Sequence, residues 1–152
     1  MTDEQFVELM IPAESSFVAT ARRFITDVAG KADWMDQQHL DDLRLMASEA
    51  VTNALRAQRR AEVGDKICVR CMLFSDRFEF SVADSAGGFE RPAHLDIHTD
   101  PELSREGGFG LPLIEALADE AHFVNTDGGT TVRLVVYRPG CSSTRESTST
   151  TR

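Results

Sequence analysis

Hydrophobic positions recur along this chain with two spacings, and these separate predicted helices from predicted strands. Apolar residues three or four positions apart predict a helix after Ser15-Ser16, which we expect to cap it, and a second helix over residues 36–60. The same spacing predicts a third helix over residues 110–120, with Pro112 in its first turn, where a missing N–H costs little. Alternating apolar and polar positions predict an edge strand and four further strands, over residues 6–11, 67–73, 78–82, 122–125 and 131–137.

The predicted elements run in the order strand, two helices, two strands, helix and two strands, with a long loop over residues 85–107 before the last helix. Helices and paired strands without regular alternation favour an α+β fold, and we expect a two-layer α/β sandwich with helices on one face of the sheet. The sheet is predicted to be mixed and mostly antiparallel, because short turns join its hairpins. After Pro139 the chain is almost entirely Ser, Thr and Arg, which predicts a folded domain over 1–138 and a disordered tail over 139–152.

The charge balance limits the partners. The 152 residues carry a net charge of −9, which argues against nucleic acid or an anionic membrane as the main partner. No apolar run reaches the roughly 18 residues that span a bilayer, and the acidic start does not resemble a secretory signal. We therefore expect a cytoplasmic protein with free thiols at Cys68, Cys71 and Cys141. The Cys68–Cys71 spacing is typical of zinc or redox pairs, but no second pair or suitably spaced histidine accompanies it.

Three glycines in four positions, Gly107, Gly108 and Gly110, open the third predicted helix. Glycine lets the backbone approach a ligand closely, and a helix start presents unpaired N–H groups and a partial positive charge. Phosphate is the usual occupant of such a site. The stretch lacks the Lys-Ser/Thr of a P-loop and the βαβ unit of a dinucleotide fold, so alone it is a weak signal.

Glu49 and Asn53 lie four positions apart and therefore share one face of the second helix. Their neighbours Ala50 and Ala54 are small, which leaves room for a ligand beside a carboxylate and an amide. The carboxylate is suited to general-base work, and the amide oxygen is suited to a hydrated Mg²⁺. The alternative is an ordinary polar pair on a solvated helix edge.

The segment Asp84-Ser-Ala-Gly-Gly-Phe89 directly follows a strongly predicted strand. The functional interpretation puts the Asp84 carboxylate at the end of the sheet, where it can accept a hydrogen bond from a ligand amine. The alternative is an acidic turn with two glycines.

In this order and spacing the three segments resemble the ATP-binding domain of the GHKL superfamily of gyrase, chaperone, histidine kinase and mismatch-repair ATPases. Glu49–Asn53 resembles its N box, Asp84–Phe89 its first glycine box and Gly107–Leu111 its second, and Gly129-Thr130 matches a weaker fourth signature. The resemblance covers roughly residues 5–138.

Within the superfamily, the stand-alone domain is most similar to the bacterial anti-sigma-factor serine kinases, through Ser48–Ala54 and Gly110–Asp119. This resemblance implies a Bergerat-type sandwich that binds ATP and Mg²⁺. It also implies an ATP-dependent protein-serine kinase and anti-sigma factor. We expect neither nucleic acid nor a membrane as a partner, because of the net charge and composition described above. The implied partners are a sigma factor and an antagonist protein of the STAS type, which the kinase phosphorylates, and the family implies a homodimer. The alternative is a catalytically silent regulatory module that binds nucleotide or sequesters a partner.

The resemblance also implies roles for single residues. Glu49 would be the general base, Asn53 would coordinate Mg²⁺, and Asp84 would receive the adenine amino group with support from Thr130. Gly88 would pass beneath the adenine.

The second glycine box would hold the phosphates through the backbone N–H groups of Gly108 and Gly110, and Phe109 and Leu111 belong to the same nucleotide site. Residues 90–107 would form a lid. Arg105, the basic residue nearest this box, is suited to meet a phosphate, and its alternative is a solvated loop arginine.

The chain departs from the family pattern at two positions. Ala86 replaces the usual first glycine of the first box, so the loop either differs there or does not need a positive φ. Ala57 replaces a histidine that many members carry after the N box. Both departures leave the three polar residues of the site unchanged, so nucleotide binding is better supported than catalysis.

Overall fold

A computed structural model describes residues 5–86, 110–126 and 128–142 of the chain. Five strands and three helices are present among these residues, with a short 3-10 turn before the first helix. In chain order they are β1 (Gln5–Ile11), the 3-10 turn (Ser15–Phe17), α1 (Val18–Ala29), α2 (Gln37–Arg60), β2 (Ile67–Leu73), β3 (Arg77–Asp84), α3 (Gly110–Leu117), β4 (Glu120–Thr126) and β5 (Gly129–Tyr137).

The strands form one sheet in the order β1-β2-β3-β5-β4, and all four pairings are antiparallel. β1 is an edge strand, as its sequence predicted. The predicted α+β fold is confirmed, although the described strands include no parallel pair and the sheet is more regular than the mixed sheet we expected. Strand β3 lies in the middle of the sheet, so the segment that follows its last residue, Asp84, leaves from the centre of one end.

The core lies between the sheet and the helices. Alternate residues of β3, Phe78, Phe80 and Val82, are buried on the helix side. Helix α2 packs against α1, α3 and β3, and its apolar stripe is almost fully buried. Because apolar residues recur every three or four positions along α2, one face of the helix meets the core along its whole length.

The two long helices begin in different ways. The Asp36 carboxylate accepts a hydrogen bond from the His39 backbone N–H at 2.9 Å and caps α2, at the residue where the sequence predicted this helix to begin. The predicted serine cap of α1 is wrong, because no side-chain hydrogen bond caps the 3-10 turn or the helix. The Phe17 N–H instead donates to the Glu14 carbonyl at 3.0 Å, so a backbone turn replaces the cap.

The third helix ends at Leu117, earlier than the predicted residue 120. The Asp119 N–H donates to the Val135 carbonyl at 2.9 Å, and Glu120 is already in register with Val135 in the sheet. Asp119 and Glu120 therefore pair with β5 and do not continue the helix.

The cysteine pair of β2 does not converge. Cys68 and Cys71 are three residues apart in a strand, so their side chains point to opposite faces of the sheet. Cys71 is fully buried, and burial raises the pKa of its thiol to about 12. Both are free thiols, and no group of three or more potential metal-binding side chains occurs among residues 5–86, 110–126 and 128–142.

The sheet face opposite the helices carries a network of charged residues. Glu79 is only 6% exposed and forms ion pairs with Arg77 at 2.5 Å and with Arg133 at 3.0 Å. Nearby, Tyr137 Oη donates to the Glu120 carboxylate, and His122 Nε2 contacts the other oxygen of that carboxylate at 2.8 Å. None of the helices in the described part of the chain combines the length and the apolar character that a bilayer crossing requires.

This network predicts a pH-dependent stability. The hydrogen bond from Tyr137, assisted by His122, holds the pKa of the Glu120 carboxyl below its ordinary value of 4.5. A lowered folded-state pKa contributes stability above the unfolded pKa, and that stability is lost as the pH falls through the folded pKa. Tyr137→Phe should therefore lower the free energy of unfolding at pH 7, and the difference from wild type should shrink below pH 4.5. Urea unfolding of both proteins at pH 7 and pH 4 measures this, and a pH-independent difference would contradict it.

Candidate functional site

The Asp84 carboxylate is fixed at the end of β3. Its Oδ1 accepts hydrogen bonds from two backbone N–H groups, that of Ala86 at 3.1 Å and that of Thr130 at 3.3 Å. Asp84 and Thr130 are in register across β3 and β5, and the alternation of β3 puts the Asp84 side chain on the helix side of the sheet with Phe80 and Val82. The structure thus holds the carboxylate that sequence reasoning selected in one orientation at the predicted end of the sheet.

Gly129 allows the start of β5 to pass close to the backbone of Asp84 and Ser85. A Cβ atom built on Gly129 would lie 1.9 Å from the Asp84 carbonyl oxygen and 3.0 Å from the Ser85 Cα. The residue also has a φ of +154°, which side-chain-bearing residues rarely adopt. The turn before β5 therefore depends on a glycine for space and for conformation.

Thr130 is joined to the neighbouring strand as well. The residue is 8% exposed, and its Oγ1 donates to the Asn125 Oδ1 at 3.2 Å. Thr130, which was predicted to support Asp84, therefore donates its backbone N–H to the Asp84 carboxylate and its hydroxyl to Asn125 of β4. These two hydrogen bonds fix its orientation.

Glu49 and Asn53 occupy the rim of α2, one turn apart. Both residues are half-buried, beside the buried Ala50 and Ala54. The Asn53 Nδ2 is shielded from solvent, and within the described part of the chain it has no hydrogen-bond partner. A solvated helix edge does not explain this atom, because a buried amide without a partner is costly.

Helix α2 packs against the third helix as well as against the sheet. α2 contacts both β3 and α3, and α3 is anchored by the fully buried Ile114. Helix α2, which carries Glu49 and Asn53, therefore packs against both the strand that ends at Asp84 and the helix that begins at Gly110.

Both departures from the family pattern have simple structural explanations. Ala86 does not adopt a positive φ, and its side chain is 5% exposed, so the position has no conformational need for glycine and fits a methyl group into the core. Ala57, where many members carry histidine, is 3% exposed and part of the buried face of α2.

Several predicted site residues lie outside the described residues. They are the first-box Gly88, the lid over residues 90–107 with Arg105, and Gly108 and Phe109 of the second box. Gly110 is the first residue of α3, and Leu111 follows it in the helix, but the Leu111 side chain is also outside the described part.

Sequence reasoning missed Gln58. This residue is 1% exposed, and its Oε1 accepts a hydrogen bond from the Ser85 N–H at 2.9 Å, directly beside Asp84. The available signal was a polar residue on the apolar stripe of α2, four positions after Ala54. It also missed Asn125, which carries no sequence signal of its own.

With this geometry in place, comparison with known proteins defines the class. Residues 11–136 match the family model of the histidine kinase-like ATPase domain, and the chain belongs to that family.

Individual relatives narrow the class further. The chain is 34% identical over 146 residues to serine-protein kinase RsbW of Bacillus velezensis, across 91% of this chain and 89% of the relative. It is 31% identical over 142 residues to serine-protein kinase RsbW of Bacillus subtilis, across 89% and 87%. Within the ATPase-domain family, the chain belongs with these serine-protein kinases, so the predicted family and enzyme class are confirmed.

A solved structure supports the fold. The crystal structure of the RsbU and RsbW domains of a Mycobacterium tuberculosis protein superposes with a TM-score of 0.62 at 23% identity. The match covers 88% of this chain and 32% of that longer chain. At this identity the likeness concerns the fold alone.

Proposed function

We propose that this chain binds Mg-ATP on the helix side of its sheet and transfers the γ-phosphoryl group to a serine of a STAS-type antagonist. We further propose that it binds a sigma factor and so acts as an anti-sigma factor. The observation that carries the proposal is the Asp84 carboxylate, fixed by the N–H groups of Ala86 and Thr130 in a chain of the serine-protein kinase family.

Asp84 recognises the base in this proposal. A carboxylate is an acceptor, and the 6-amino group of adenine is a donor, so the two are complementary. Because its orientation is set by backbone groups, the carboxylate does not have to be ordered when the nucleotide arrives. Thr130 of β5 pairs with Asp84 and holds β5 beside the end of β3. The N-terminus of α3 at Gly110 receives the phosphates.

Asn53 fits a Mg²⁺ site. Rotation of its carboxamide exchanges the nitrogen and oxygen positions, so the buried position without a partner can hold the oxygen that Mg²⁺ prefers. Bound Mg²⁺ would neutralise charge on the phosphates. Within the described residues, Asn53 is the side chain that we assign to this ion.

Glu49 is the proposed general base, one helical turn before Asn53. As the serine oxygen forms its bond to the γ-phosphorus, the bond from that phosphorus to the β,γ-bridging oxygen breaks and ADP leaves. The serine hydroxyl proton passes to the Glu49 carboxylate. The half-burial of Glu49 limits water at this point without removing access for a partner's serine.

The partners and the setting of the protein belong to the same proposal. The relatives are named as serine-protein kinases, which supports a protein as the phosphoryl acceptor. The anti-sigma-factor resemblance supplies the sigma factor, the STAS antagonist, the homodimer and the cytoplasmic location. We retain residues 1–138 as the domain that carries the activity.

The nucleotide site is tested by calorimetry with ADP and Mg²⁺. Asp84→Asn replaces one acceptor oxygen with a donor that faces the adenine amino group, and should weaken ADP binding about ten- to a hundredfold, the value of a hydrogen bond to a charged group. Asp27→Asn is the matched control, because Asp27 is exposed on α1, and it should bind like wild type. Unchanged ADP affinity in Asp84→Asn would overturn the adenine assignment.

The kinase activity is tested separately, with labelled ATP, Mg²⁺ and a candidate STAS protein. Label on a serine of that protein supports the proposal. ADP binding by the wild type without transfer to any STAS or sigma partner would instead establish the silent regulatory module.

A further inference from the structure

Gln58 is a hydrogen-bonded polar residue on the otherwise apolar, buried face of α2. It is 1% exposed, and both ends of its carboxamide are used: Oε1 accepts from the Ser85 N–H at 2.9 Å, and Nε2 donates to the Asp65 carbonyl at 2.5 Å. A buried amide destabilises a protein unless its hydrogen bonds are made, so these two hydrogen bonds offset the cost of burying the Gln58 carboxamide. The side chain therefore ties α2 to two backbone segments.

One of these segments carries the proposed adenine acceptor. β3 ends at Asp84, and Ser85 is the next residue. The Ala86 N–H and the Thr130 N–H both donate to the Asp84 carboxylate, while the N–H of Ser85, the residue between Asp84 and Ala86, donates to Gln58. Residues 84–86 are thus held by β5 on one side and by α2 on the other.

We infer that Gln58 is a positioning residue for adenine recognition, which holds the exit of β3 so that the Asp84 carboxylate faces the base. This inference rests on the proposed function, because it acts through Asp84. Hydrogen bonds are directional, so a small rotation of residues 84–86 weakens the contact to the 6-amino group even though Asp84 is unchanged. The loss should fall on recognition of that amino group more than on the phosphates.

The ratio of ADP to IDP affinity isolates this effect. IDP has a carbonyl oxygen where ADP has the 6-amino group and an N1–H where ADP has an unprotonated N1. The ratio therefore reports on recognition of this edge of the base, which includes the hydrogen bond to Asp84, and it cancels the contacts to ribose and phosphates. Gln58→Met has a similar volume but neither hydrogen bond, and should lower the ratio about tenfold. Gln58→Glu keeps an acceptor for the Ser85 N–H but loses the donor to the Asp65 carbonyl, so it should recover only part of the ratio that Gln58→Met loses.

A matched control separates positioning from general stability. Leu43 is fully buried on α2, outside the N box and about four turns before Gln58, and Leu43→Ala should destabilise the fold through a cavity. It should leave the ADP-to-IDP ratio of the folded protein at the wild-type value. Calorimetry of the wild type and the three variants, each well below its unfolding temperature, gives the four ratios.

The outcomes distinguish the inference from the proposed function. A wild type that binds no ADP, or does not prefer it to IDP, overturns both. A wild type that prefers ADP, with the same ratio in Gln58→Met or an equal loss in Leu43→Ala, overturns the inference alone. If Gln58→Met does not fold, hydrogen exchange of the wild-type protein decides, because a Ser85 amide that exchanges as fast as an unstructured one is incompatible with a hold by Gln58.

Discussion

Glu49→Gln should lower phosphoryl transfer to a STAS-type partner by about a hundredfold or more, the usual contribution of a general base. Glutamine has nearly the same shape as glutamate but has no carboxylate to accept the serine proton. Glu49 is half-buried on α2 and takes no part in the hydrogen bonds that fix Asp84, so ADP affinity and thermal stability should remain close to those of wild type. Single-turnover transfer of labelled phosphate, measured beside ADP calorimetry on the same preparations, tests both statements.

Glu14→Gln is the control for this variant. Glu14 is an exposed glutamate between β1 and α1 that makes no side-chain cap, so the same chemical change should leave transfer intact. Transfer at the wild-type rate in Glu49→Gln would remove Glu49 from the mechanism. A parallel loss of ADP binding would make it a nucleotide-binding residue instead of a base.

Most of the secondary structure was predictable because the local spacing of apolar residues distinguishes helices from strands. The apolar stripe of α2 predicted a helix, which is observed at Gln37–Arg60. The alternation of apolar and polar residues predicted strand β2, which is observed at Ile67–Leu73. The errors occurred where a distant partner decides the local conformation. The end of α3 depends on a hydrogen bond from Asp119 to Val135, which no short window of sequence contains.

The candidate site shows the same division. Glu49, Asn53 and Asp84 could be selected because residue types at short spacing, together with a family resemblance, mark them. Gln58 is 27 residues from Ser85, and its contact requires α2 to pack against the end of β3. The strand order that puts Asp84 beside Thr130 is likewise a long-range property, and it determines which backbone groups hold the carboxylate.

The close approach of β5 to the backbone of Asp84 makes Gly129→Ala the most damaging small substitution that we expect at the site. A methyl group there would lie 1.9 Å from the Asp84 carbonyl oxygen and 2.7 Å from its carbonyl carbon, both of which belong to the backbone of the central strand. Rigid backbone atoms have little freedom to move aside, and alanine also disfavours a φ of +154°. Strain and overpacking together should cost about 3 kcal/mol or more of the free energy of unfolding.

Gly128→Ala supplies the comparison, because a Cβ on that neighbouring glycine meets no atom within 4 Å. It should change the free energy of unfolding by less than about 0.5 kcal/mol. Urea unfolding of the two variants measures the difference, and ADP calorimetry on the folded fraction of Gly129→Ala should show weaker binding, since relief of the clash moves Asp84 away from β5. Equal stability of the two variants would mean that β3 and β5 do not approach this closely, and the hydrogen bond from Thr130 that orients the carboxylate would then lose its geometric basis.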